Sequence, residues 1–117
     1  MKPFRIGIIG EFQSGKSLLI NCLLQRAVAT VGKGVATTHT VVCYRFAEKQ
    51  DEHFVYCKVN GEVYNEAIDD IHKHDTDTDI EVIDVFLNCS LLKDYELIDM
   101  PGFGANAANN SAARRAL

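Results

Sequence analysis

Apolar residues fall into short runs separated by glycines and polar clusters. Residues 4–9 form an apolar run that stops at Gly10, which predicts a buried strand. In residues 16–26, Leu18, Leu19, Cys22 and Leu23 recur at helical spacing, and Arg26 suits a last turn. Ile20 and Leu24 widen that apolar face, so the helix is expected to pack on more than one side. Residues 28–39 carry Gly32, Gly34, Thr30, Thr37 and Thr38 with no period and read as a loop. Residues 40–47 are rich in β-formers, residues 49–52 are a polar turn and residues 53–59 alternate again, which predicts a hairpin. Asn60-Gly61 is a turn signal before a short strand over 62–64. Asn65 suits the cap of a short helix to about His72, and 73–79 read as a polar loop. Residues 80–87 and 95–99 are apolar on both faces, as core strands are. Residues 100–107 read as a loop, and the Ala-rich stretch 107–117 has good helix propensity. The order predicts an α/β layout with a partly parallel sheet.

Charge refines this picture. The 117 residues carry a formal charge of −4, which disfavours a general nucleic-acid surface. Half of the 16 acids lie within residues 66–84, against Lys73 alone, so an acidic insert around 65–79 sits on a slightly basic body suited to an anionic ligand. His72 and His74 with Asp75, Asp77 and Asp79 lack a fixed metal-ligand geometry and read as a solvated polar loop. No apolar run is long enough to span a bilayer, and no amphipathic basic helix offers a lipid-binding face. Cys22, Cys43, Cys57 and Cys89 are scattered and read as reduced, buried thiols, which suits a cytoplasmic protein.

The chemistry concentrates in two loops. Gly10-Glu11-Phe12-Gln13-Ser14-Gly15-Lys16-Ser17 matches G-x-x-x-x-G-K-[ST] at every required position, between an apolar strand and an apolar helix. Such a loop turns successive backbone N–H groups toward a phosphate chain, and the two glycines permit the tight turn. The helix that starts there adds its free N–H groups and positive dipole end. Lys16 would charge-balance the terminal phosphates, and Ser17 would offer an oxygen to Mg²⁺. The phosphate-contacting set is therefore Gly10, Gln13, Ser14, Gly15, Lys16, Ser17 and Leu18. The second loop follows a core strand: Tyr95-Glu96-Leu97-Ile98-Asp99 ends in a carboxylate that can hold Mg²⁺, and Met100-Pro101-Gly102 turns so that the Gly102 N–H can meet a terminal phosphate.

Taken together, the phosphate loop, Ala36-Thr37-Thr38 and Asp99-Met100-Pro101-Gly102-Phe103-Gly104 resemble the first three nucleotide motifs of a translation-factor-type GTPase. Ile9-Gly10-Glu11-Phe12, Leu19-Ile20-Asn21 and Met100-Pro101-Gly102-Phe103-Gly104 are most similar to bacterial dynamin-like GTPases, with Era-like GTPases second. The resemblance implies a P-loop NTPase fold, a three-layer α/β arrangement around a mixed, mostly parallel sheet, incomplete at its C-terminus. It implies GTP and GDP as ligands, and a switch threonine closing over Mg²⁺, for which both Thr37 and Thr38 qualify and Thr38 is favoured. Phe103 stands where Ras-like enzymes place a water-orienting glutamine, and residues 28–40 hold no arginine to act as a finger. Dynamin-like relatives rely instead on dimerisation across the nucleotide face, on loop side chains and on K⁺ or Na⁺. Gln13 could serve as that side chain, or it could face solvent. Lys16, Thr38 and Gln13 are thus the catalytic candidates, and Ser17, Thr38 and Asp99 the metal ligands.

The guanine-reading Asn/Thr-Lys-x-Asp motif does not follow Asp99, and His72-Lys73-His74-Asp75 lies in the wrong topological place. Guanine specificity is carried by the resemblance alone. A P-loop ATPase and a non-catalytic nucleotide- or partner-binding module remain the alternatives. The resemblance implies that residues 1–117 form the amino-terminal part of a G domain, in which the first strand is central and would here keep one edge unpaired. Membrane association would then need segments outside this chain.

Overall fold

The computed structural model describes residues 2–10, 15–29, 40–74 and 79–101. The chain runs β1 (Phe4–Gly10), α1 (Lys16–Leu24), β2 (Val41–Phe46), β3 (His53–Lys58), β4 (Val63–Ala67), β5 (Ile80–Leu87), α2 (Leu91–Asp94) and β6 (Tyr95–Pro101), with 3-10 helices at Lys49–Asp51 and Ile68–His74. The six strands form one sheet in the order β1-β6-β2-β5-β3-β4. The fold is α/β around a mixed sheet, as the sequence predicts. Two pairings are parallel (β1–β6, β2–β5) and three antiparallel, so the sheet is less parallel than the resemblance implied. Among the described residues, α1 and α2 both pack on one face of the sheet.

The expected hairpin over 40–59 does not form. β5 lies between β2 and β3, pairing Val41–Phe46 in parallel on one side and His53–Lys58 antiparallel on the other. The apolar residues on both faces of β5 explain this. Ile80, Val85 and Leu87 are buried to about 1% exposure or less, and a strand of that kind gains most in the middle of a sheet. The real hairpin is β3–β4, closed at Asn60-Gly61, where Gly61 takes φ +94° and donates its N–H to the Lys58 carbonyl at 2.9 Å. Asn65 therefore lies within β4 and does not cap a helix. The helix that follows is a 3-10 helix, Ile68–His74.

That helix docks, so the acidic insert is not simply solvated. Ile68 and Ile71 pack against the main core. His74 Nε2 lies 3.0 Å from Glu66 Oε1, and Tyr56 Oη donates to Glu66 Oε2 at 2.8 Å. His72 Nε2 meets the Ala27 carbonyl just beyond α1. The main core joins Ile20 and Leu24 of α1 and Leu92 of α2 to Tyr44, Phe54, Val85, Leu87 and Leu97 on one sheet face. The other face carries a smaller cluster, Val41, Cys43, Ile98 and Met100. Burial there raises the Cys43 thiol to about 11, which keeps it protonated. Away from the strand ends that meet α1, the same face carries a charged row: Arg5 to Glu96 at 3.4 Å, Arg45 to Glu96 at 3.2 Å and Arg45 to Asp84 at 3.3 Å.

Helix α1 departs from expectation. It packs through Ile20 and Leu24, while Leu18, Leu19, Leu23 and Cys22 are exposed. Cys57 and Cys89 are half-buried, so of the four thiols only Cys43 is buried. β1 stands at the end of the sheet, paired among the described residues with β6 alone, and Phe4 is 71% exposed and Ile9 51%.

Asn21 holds the segment that follows α1. Its Oδ1 accepts from the Val28 and Ala29 N–H groups at 3.0 and 2.7 Å, and its Nδ2 donates to the Ala29 carbonyl at 3.0 Å. Asn21→Ala leaves two donors and an acceptor to find other partners, and should destabilise the fold by about 1–3 kcal/mol. Urea unfolding of the two proteins measures this, and equal midpoints would show that the clasp contributes nothing.

Candidate functional site

The candidate site lies where two parallel strands end together. Ile8 lies beside Asp99, Ile9 beside Met100 and Gly10 beside Pro101. Asp99 is also flanked by Val42 of β2, so its backbone is held on both sides. Helix α1 begins at Lys16, preceded by Gly15 with φ +83°, and the Leu19 N–H closes the first helical turn onto the Gly15 carbonyl at 3.0 Å. A Cβ at Gly15 would meet nothing within 4 Å, so the requirement for glycine there is conformational and not steric.

At this junction Lys16 Nζ lies 2.8 Å from Asp99 Oδ1 and donates to the Met100 carbonyl at 2.6 Å. The two side chains are only 9% and 14% exposed. Burial raises the Asp99 carboxyl above its ordinary value, and Lys16 offsets part of that rise. The structure thus brings together Gly10, Gly15, Lys16, Ser17 and Asp99, with Leu18 exposed beside them on the first turn of α1. Gln13, Ser14, Thr37, Thr38 and Gly102 lie outside the described residues, as does Phe103. His72, Lys73 and His74 are engaged elsewhere, with Ala27, Asp70 and Glu66.

Two participants had no assigned role in the sequence reading. The Met100 carbonyl is a backbone group, and nothing in a residue's identity signals that its carbonyl will meet a lysine. Asn21 carried a recognisable signal, a polar residue within the apolar run of α1, but its partners at 28–29 require the folded loop.

The pattern described as the Dynamin family matches residues 6–117. A curated relative, the probable transmembrane GTPase FZO-like, chloroplastic, of Arabidopsis thaliana, is 29% identical over 103 residues, covering 86% of this chain and 9% of its own length. A solved structure of an oligomerised bacterial dynamin pair, described as a mechanism for the long-range sensing and tethering of membranes, superposes with TM-score 0.70 at 25% identity. It covers 99% of this chain and 19% of that one. A second structure described in the same way gives TM-score 0.66 at 23% identity and supports the fold. The chain spans 9% of the length of the plant relative and 19% of that of the bacterial structure.

The raised Asp99 carboxyl has a consequence for stability. The folded protein holds this proton more tightly than the unfolded chain does, so Asp99 costs stability as pH rises from the ordinary carboxylate range through the higher folded value. Asp99→Asn removes that term. Urea unfolding from pH 4 to 7 should show the wild type losing ground to Asp99→Asn as pH rises, and a constant difference would contradict the assignment.

Proposed function

The chain belongs to the dynamin family, and we propose that its β1–α1 junction binds a magnesium–GTP complex and takes part in hydrolysing it. The observation that carries this reading is the meeting of Lys16 and Asp99 at 2.8 Å, at the shared end of two parallel strands and the opening of α1. A cation for phosphate and a carboxylate for a metal are thereby placed side by side at a helix N-terminus. The Ser17 hydroxyl and the Asp99 carboxylate are hard oxygen donors of the kind Mg²⁺ prefers. When bound, the ion would supply charge neutralisation at the phosphates.

The chain's own groups would then divide the task. Lys16 balances the terminal phosphates, and the amides of the loop 10–17 and the first turn of α1, Leu18 included, cradle the rest. Thr38 would close over the γ-phosphate, and Gly102 would present its N–H to it. Gln13 is the catalytic side chain proposed in the loop. With Phe103 in the water-orienting position and no arginine at 28–40, hydrolysis by one molecule is slow and rises on dimerisation across the nucleotide face in K⁺ or Na⁺. The GTPase name of the plant relative supports guanine as the base, and the oligomerised bacterial pair supports self-association. Residues 1–117 act in this reading as the amino-terminal part of a longer G domain, cytoplasmic and peripheral to a membrane. Among the described residues no helix is long and apolar enough to cross one. The same absences at 103 and 28–40 favour, as a second reading, a module that binds nucleotide without turnover.

Lys16→Ala should abolish binding of a fluorescent GTP analogue in Mg²⁺, and unchanged affinity would sink the nucleotide assignment. GTP turnover per molecule should rise with protein concentration in K⁺ or Na⁺. A flat profile in both salts would remove the dimerisation step, and no turnover in a folded, dimer-competent protein would select the non-catalytic module.

A further inference from the structure

We propose that Asp99 is an internal competitor for Lys16: in the nucleotide-free protein the two neutralise each other, and the phosphates capture Lys16 efficiently only when a metal takes Asp99 at the same time. This rests on the nucleotide-binding reading above and assigns to the Lys16–Asp99 contact a gate against metal-free nucleotide.

The argument is one of charge balance in a confined place. Lys16 Nζ is satisfied on two sides, by Asp99 Oδ1 at 2.8 Å and by the Met100 carbonyl at 2.6 Å. Both side chains are largely withdrawn from water. Nucleotide arriving without metal must draw Lys16 away and leave the Asp99 carboxylate, fixed between β1 and β2, facing a polyanion. Metal arriving without nucleotide takes the carboxylate and leaves the Lys16 ammonium beside a second cation. Either half-step separates a buried ion pair and strands one charge, which costs far more than the pair itself contributes. Arrival of both exchanges one pair for two, Lys16 with phosphate and Asp99 with metal, and strands nothing. The coupling between metal and nucleotide is reciprocal, as linkage requires.

Neutralising Asp99 therefore strengthens binding of bare nucleotide while it weakens the response to metal. The test measures the affinity of a non-hydrolysable fluorescent GTP analogue for the wild type, Asp99→Asn and Asp84→Asn, each in excess EDTA and in excess Mg²⁺. In EDTA, Asp99→Asn should bind about tenfold tighter than the wild type or better. Asp84→Asn removes the same charge from a residue bonded to Arg45 on the opposite sheet face, and should match the wild type in both conditions. The wild type should tighten on adding Mg²⁺ by about tenfold or more, and Asp99→Asn by much less. The proposal fails if Asp99→Asn gains nothing in EDTA, if Asp84→Asn gains as much, or if the wild type binds equally in EDTA and Mg²⁺. Should Asp99→Asn not fold, the wild-type pair of measurements and Asp99→Ala still decide it. A wild type that binds the analogue in neither condition overturns the nucleotide-binding reading itself, a different outcome from any of these.

Discussion

A lysine withdrawn from water must have an anion beside it, and much of this structure follows from that need. Lys16 is placed by the start of α1, and Gly15, with its positive φ, directly precedes that start. Its partner Asp99 lies far along the sequence, so β6 must lie directly against β1, in parallel and in register, for the two to meet. β6 in turn is held by β2 on its other side, which fixes the carboxylate as part of a sheet and not of a loop. A one-residue slip of β6 against β1 would turn Asp99 to the opposite face, away from α1.

The remaining strands provide the mass that makes this register stable. β5 fills the gap between β2 and β3 and buries Ile80, Val85 and Leu87, while Tyr44 and Phe54 flank it in the same core. At the far end of the loop-bearing helix, Asn21 binds residues 28–29 and Arg26 pairs with Glu52, which also accepts the Asn88 N–H. The first turn of α1 is thus tied to β6 by one ion pair, and the segment that follows α1 is tied to Glu52, just ahead of β3, by another.

How much of this was legible in the sequence depends on how local each feature is. Gly15-Lys16 and Asp99 were legible because a G-x-x-x-x-G-K-[ST] pattern and a strand-end carboxylate are defined by close neighbours in the chain. The limits of β5 were legible because apolar residues on both faces demand burial. The hairpin misreading arose because β2 and β3 are consecutive, and only the competing burial of β5, three elements away, separates them. Leu18, Leu19 and Leu23 have the spacing of a buried face, but spacing says that a face is apolar and not that a neighbour covers it. The docking of the acidic segment was hidden because its net charge outweighed Ile68 and Ile71 in the reading. The Met100 carbonyl left no mark in the sequence at all, since every residue has one.

The pairing of Phe4 with Tyr95 also sets an order of events. Among the described elements, β1 is made first and its partner β6 is made last. At roughly 5–20 residues per second, the apolar residues of β1 wait on the order of 5–20 seconds before β6 exists. During that interval β2 and β3 must leave room for β5, and Lys16 has no carboxylate from β6 beside it. The Lys16–Asp99 junction is therefore among the last parts of the described region to form, and closing it joins residues 16 and 99, a long-range contact of the kind a chain makes slowest.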